Sequence, residues 1–223
     1  MSVGGDRLAA LEVAAANHGT LLLADISGYT RFLQLVGVAH GEEMARTGVV
    51  PDAYPLMATL LDGIVQRLVP PFTLSKTEGD AVFAFAPAGE FQLRGQAILD
   101  CINACYADFQ SQVAAMNAAV TCNCSACSLG IALDLKFILH VGGYVLHPIA
   151  GRQELLGSEV NAVHRLLKNH AAEVVGAGPY ALFSAAAIEQ LQVPVARGAL
   201  VTETYEHLEP IDSYVFAIPV PAS

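Results

Sequence analysis

Apolar runs of strand length and stretches of helical periodicity alternate from residue 20 to residue 218, with no linker, internal repeat or low-complexity stretch between them. That alternation confines the chain to one α/β or α+β domain in which helices pack on a sheet. Residues 21–26 are an apolar run closed by Ser27-Gly28, the pattern of a buried strand and its turn. Thr30 opens a segment of helical spacing (Phe32, Leu33, Leu35, Val36). Leu56, Leu60, Ile64 and Leu68 recur every fourth position, predicting a helix over 51–68 that Pro70-Pro71 stops. Apolar residues 72–75 and 81–86 flank a polar, glycine-containing centre and predict a β-hairpin. A long helix is expected over 91–116, and alternation marks a strand over 133–140. Gly142-Gly143 is read as a turn into a further strand at 144–149. A helix over 160–170, strand 180–184, helix 185–191 and strand 214–218 complete the order. Residues 1–19, Ala-rich and helically spaced, form an N-terminal helix or arm ahead of a domain spanning 20–223, with a cysteine-rich insertion at 121–128.

Composition removes several function classes. Hydrophobic residues make up 54% of the 223 and charged residues 14%, the reverse of a disordered chain. A chain of this length buries a sizeable core without disulfide staples. Lys and Arg number 11 against 21 Asp and Glu, a net charge of -10 with no basic stripe, so nucleic acid is not an expected partner. No apolar run reaches the roughly 18 residues of a membrane helix. The stretch 8–16 is short and carries Glu12, a poor signal peptide. Five cysteines, an odd number in a chain that is not short, point to a reducing cytoplasm.

Two carboxylates stand out. Asp25 interrupts an apolar strand just before its turn, and Asp80 follows Gly79 at the hairpin tip. Each alone reads as a turn cap. Together they offer the oxygen donors that Mg²⁺ prefers alongside substrate phosphates, and two such ions clamp the attacking and leaving oxygens of a phosphoryl transfer.

Residues 23–30, Leu-Ala-Asp-Ile-Ser-Gly-Tyr-Thr, resemble the first metal motif of the class III nucleotidyl cyclase catalytic domain, and Lys76-Thr77-Glu78-Gly79-Asp80 resembles the hairpin carrying its second metal aspartate. Residues 135–142 are similar to the family's central strand, 156–166 to its Asn-xxx-Arg helix, and 208–216 to its closing strand. The motifs keep the family's order, and the chain resembles a divergent bacterial branch of it. The resemblance implies an α+β, ferredoxin-like cyclase fold: a mixed, mostly antiparallel sheet with helices packed on it. It implies conversion of ATP or a related purine nucleotide to the cyclic nucleotide and pyrophosphate, by attack of the ribose 3′ hydroxyl on the α-phosphate. Two Mg²⁺ or Mn²⁺ ions would sit on Asp25, Asp80 and the carbonyl of Ile26. Arg165 would neutralise charge growing on the phosphate and Asn161 would orient the ribose. Lys76 and Glu154 would read adenine, the lysine donating to N1 and the carboxylate accepting from the 6-amino group. It also implies a homodimer with composite sites, the metal aspartates of one chain facing the base-reading and Asn/Arg residues of the other.

Departures from the pattern keep a second reading open. Family members carry a further lysine late in the chain for the terminal phosphates, whereas the lysines here are Lys76, Lys136 and Lys168. Arg197 or Arg152 would have to serve, or the domain is a degenerate cyclase fold that binds a nucleotide or a partner and regulates. His164 stands where a small residue is usual and is read as a packed, structural imidazole. Finally, Cys122, Cys124 and Cys127 form C-x-C-x-x-C, and Cys101 and Cys105 lie one helical turn apart just before them. Four converging thiolates would suit tetrahedral Zn²⁺ and a thiol or zinc sensor; reduced, unligated thiols are the alternative.

Overall fold

The computed structural model describes residues 15–119, 122, 124 and 133–220. Inside its sheet runs β1 (Ala16–Ser27), whose Leu21, Leu22, Leu23 and Ala24 are all fully buried. A continuous apolar run is what a strand covered on both faces requires. β1 lies between β3 (Ala81–Pro87) and β4 (Asp134–Ile149), antiparallel to both. With β2 (Thr73–Glu78), β6 (Tyr180–Ser184), β7 (Ala199–Glu203) and β8 (Ile211–Ala217) the sheet runs β2-β3-β1-β4-β6-β8-β7. β5 (Arg152–Leu156) pairs with the far end of β4. The β4–β6 pair is parallel and every other pair is antiparallel, the mixed sheet expected.

The faces are covered unequally. On one, α1 (Tyr29–Thr47), α2 (Ala53–Leu68), α3 (Gln96–Ala119) and α6 (Ala185–Leu191) bury Phe32, Ile64, Phe109 and Leu191 against Leu22, Ala24 and Ile26. On the other, the short α4 (Ser158–Arg165) and α5 (Ala171–Val175) set Val160, Val163 and Ala171 on Leu21, Leu23, Phe83 and Ile138. The face that carries only short helices is where the polar groups gather.

Several expectations need correction. Residues 16–19, read as part of an N-terminal arm, open β1; the rest of that arm, residues 1–14, lies outside the described residues. Gly142-Gly143 does not turn. β4 runs through it, with His18 opposite Gly143 and Gly19 opposite Gly142. A Cβ at Gly142 would collide with the Glu159 side chain, so this glycine serves close approach of α4 to the strand rather than a bend. The hairpin between β2 and β3 is tighter than read: Lys76–Glu78 are strand, and only Gly79, with φ 65°, and Asp80 turn. The helix read over 160–170 ends at Arg165, and a separate short helix follows. β5 and β7 were not foreseen.

Candidate functional site

Register settles which side chains share a face, because cross-strand partners point the same way. Glu78 opposes Ala81, Ala81 opposes Asp25, Asp25 opposes Lys136 and Lys136 opposes Tyr180. That row lies on the α4 face, with Ala81 and Tyr180 in its core. One row along, Lys76 opposes Phe83, two residues from the Glu78–Ala81 pair that closes the hairpin, so ordinary strand alternation puts Lys76 on the same surface as Asp25. A bulge between Leu74 and Lys76 shifts the register only beyond that point.

Two polar groups result. In the first, Asp25 is tied to Lys136, Nζ to Oδ2 3.0 Å, with side chains only 16% and 22% exposed. Ile26 turns its side chain into the core and offers the site only backbone. Its N–H donates to the Asp80 carbonyl (3.0 Å), locking the β2–β3 turn to the end of β1. Burial, and next the charge of Asp25, push the Asp80 carboxyl above the ordinary aspartate range, while Lys136 pulls it back. Two carboxylates close enough to interact, flanked by backbone oxygens, are a donor set that fits a hard divalent cation. Lys136, whose role the sequence did not reveal, already neutralises one of the two charges.

The second group centres on Lys76. Its ammonium donates to Glu78 Oε1 (3.0 Å) and to Glu154 Oε2 on β5 (3.1 Å). The Glu78 bond is the main reason its pKa is raised. Burial raises the Glu78 carboxyl, but Lys76 and His164 together outweigh it and hold the group below its ordinary value. His164 Nε2 lies 2.9 Å from Glu78 Oε2 and Nδ1 lies 2.7 Å from the Val160 carbonyl, with Phe83 edge-on at 4.9 Å. The packed imidazole expected is what is found, with Glu78 as a partner the sequence did not announce. Asn161 and Arg165 stand one turn apart on α4, both exposed, and no ion pair engages Arg165 among the described residues. Strands about 4.8 Å apart put the backbones of Asp25 and Glu78 about 10 Å from each other, so the two groups are neighbours and not one cluster.

Other expected residues lie elsewhere. Arg197 lines a groove with Ile102 and Phe216, against the α2–α3 face, away from both groups. Glu203 is fully buried and accepts from the backbone and ring of His170, both at 2.8 Å, so it presents no charge to a phosphate. Cys105 is buried in the core and Cys101 beside it half-buried on α3. Among the described residues the metal-sized group of donors is Cys122 and Cys124 with His40, a ligand type the sequence did not single out there. Cys127 lies outside them.

Residues 57–174, over half of the chain, match the family described as protein of unknown function (DUF2652). The chain belongs to that family. A relative in Mycobacterium tuberculosis, named uncharacterized protein Rv2561/Rv2562, is 30% identical over 113 residues; these are 51% of each chain, so this chain spans about half the length of that relative. Among solved structures, the guanylyl cyclase Cya2 covers 93% of this chain at TM-score 0.62 and 14% identity, with 96% of Cya2 matched. The adenylyl cyclase CyaB from P. aeruginosa covers 93% at TM-score 0.60 and 14% identity, with 97% of CyaB matched. A bacterial light-regulated adenylyl cyclase covers 92% at TM-score 0.57 and 16% identity, with 52% of its own chain matched. The chain thus has the fold of the class III cyclase catalytic domain. No helix among the described residues is long and apolar enough to cross a membrane.

Proposed function

We propose that the domain is a metal-dependent purine nucleotidyl cyclase that closes ATP to cyclic AMP and pyrophosphate between two identical chains. The observation that carries this reading is the sharing of one sheet face by the Asp25–Asp80 carboxylates and the Lys76–Glu154 pair, with Asn161 and Arg165 on the helix above. Asp25, Asp80 and the Ile26 carbonyl would hold Mg²⁺ or Mn²⁺. The bound ions would supply Lewis-acid stabilisation of the α-phosphate and lower the pKa of the attacking 3′ hydroxyl. The protein residues do the rest. Glu154 accepts from the adenine 6-amino group and Lys76 donates to N1, exchanging their mutual hydrogen bond for the base. Guanine, with a carbonyl and a protonated N1 there, leaves both unpaired and is rejected. Arg165, without an ion pair among the described residues, neutralises the phosphate as charge develops, and Asn161 fixes the ribose.

The roughly 10 Å between the two groups supports sharing across an isologous dimer, each chain giving carboxylates to one site and base-reading residues to the other. A regulatory reading, nucleotide binding without turnover, is favoured by one observation: Lys136 already occupies a cation position on Asp25. Complementation distinguishes them. For a cyclase, purified protein with Mn²⁺ and ATP should yield cyclic AMP and pyrophosphate, Asp25→Ala and Arg165→Ala should each be inactive, and the mixture should regain about half the activity per heterodimer if sites are independent. Nucleotide binding with no product in any mixture would replace the cyclase by the regulator.

A further inference from the structure

We propose that His40, Cys122 and Cys124 form a site for a borderline-soft divalent cation of the Zn²⁺ class, built by the fold and separate from the carboxylate pair. The ring nitrogen of His40 and the sulfurs of Cys122 and Cys124 all lie within 4.8 Å of one another. His40 sits on α1, 82 residues before Cys122, so only the folded chain brings the imidazole to the thiols. The His40 Nε2 to Cys122 Sγ separation is 3.6 Å. A tetrahedral ion bonded to sulfur at about 2.3 Å and to nitrogen at about 2.0–2.1 Å spaces those two donors about 3.6 Å apart, so the pair already has the spacing an ion would impose.

A second feature concerns the sulfur. The backbone N–H of Cys124 donates to Cys122 Sγ at 3.4 Å. An N–H aimed at sulfur fixes where that sulfur points, and outer contacts of this kind orient ligands in metal sites. Cys122 is exposed, and His40 and Cys122 open on a cavity of about 550 Å³ that also receives Glu43 and Asp52, which gives an ion an acidic way in. One nitrogen and two sulfurs select Zn²⁺ over Mg²⁺, which takes oxygen donors, and leave the fourth position to a further donor. The site would pin the C-terminal half of α1 to the chain leaving α3, on the face opposite the carboxylates. It holds whether or not the domain cyclises nucleotides.

Cobalt is the probe, because a thiolate-to-cobalt charge-transfer band reports sulfur ligation and is silent for carboxylate binding. The full-length protein, reduced and stripped with chelator, is titrated with Co²⁺ and then with Zn²⁺. The expected result is one equivalent of Co²⁺ with thiolate bands of a tetrahedral ion, bleached by one equivalent of Zn²⁺, and a higher Tm in Zn²⁺. His40→Ala, with unchanged circular dichroism, weakens binding at least about tenfold, since even outer contacts of metal ligands are worth that much. Cys122→Ser weakens the thiolate bands, one of the two sulfurs being gone, and Cys101→Ser behaves as wild type. Wild type without thiolate bands overturns the proposal. So does undiminished binding in His40→Ala, or equal binding in urea, either of which would assign the metal to the C-x-C-x-x-C segment alone.

Discussion

Replacing Lys136 by methionine isolates the ion pair at the heart of the carboxylate site. Methionine keeps the apolar stem and deletes the charge. At 3.0 Å the Lys136–Asp25 attraction is about 5.5 kcal/mol for an effective dielectric of about 20, before desolvation of both partners is subtracted. Exposed pairs retain about 0.2–1 kcal/mol of such an attraction, and breaking a fully buried pair costs about 3–5. Side chains 16% and 22% exposed fall between, and Asp80 adds a second carboxylate left facing Asp25. We expect Lys136→Met to destabilise the metal-free protein by about 1–3 kcal/mol at neutral pH, or about 2–12 °C in Tm for a chain of this size. Urea denaturation of Lys136→Met, Asp25→Asn and the double variant gives the coupling. It should be at least about 1 kcal/mol, because once Asp25 is neutral the lysine has little left to compensate. Mn²⁺ should bind Lys136→Met more tightly than wild type, the competing ammonium being gone. A coupling below about 0.5 kcal/mol would refute the reasoning, since the pair would then be no more than a surface contact.

Two further outcomes follow from the titrating groups. Asp80 holds its proton more tightly folded than unfolded, so its contribution to stability falls as pH rises from the ordinary aspartate pKa through its raised one. Asp80→Asn should therefore be more stable than wild type at about pH 7 and lose that advantage at about pH 3, in urea melts without metal, while Mn²⁺-dependent turnover disappears. Burial pushes the Cys105 thiol up to about 12, so it should resist alkylation in the native protein, whereas exposed Cys122 reacts. Peptide mass spectrometry after timed iodoacetamide treatment reads both, and fast native labelling of Cys105 would contradict its core position.

Sequence alone carried the elements whose stability is local. The four-residue spacing from Leu56 to Leu68 becomes α2, with Leu60, Ile64 and Leu68 buried as the period requires. The apolar block at 21–24, closed by a turn signal, becomes an interior strand because a strand covered on both faces buries successive residues. Asp25 and Asp80 were conspicuous for the same reason, as charges at places that normally exclude them. β5 and β7 were missed because short strands with polar edges have no period of their own and exist by pairing with β4 and β8. Gly142-Gly143 misled because glycine marks both turns and close approaches, and only Glu159 packed across the strand tells which.

What the sequence by itself determined is the inventory: an acidic, core-forming chain, the order of its longer strands and helices, and the residue types available for metal, base and phosphate. Which of them meet is a matter of register and long-range packing. The register of the β2–β3 hairpin, fixed at its two-residue turn, decides that Lys76 faces Glu154 and the site rather than the opposite core. Cross-strand alignment puts Lys136 on Asp25, and the course of α1 takes His40 to Cys122 and leaves Cys101 and Cys105 in the core. The reason is physical: periodicity and composition record each residue's preference for water or core, which is local, whereas a contact between distant residues depends on every strand pairing and helix packing between them.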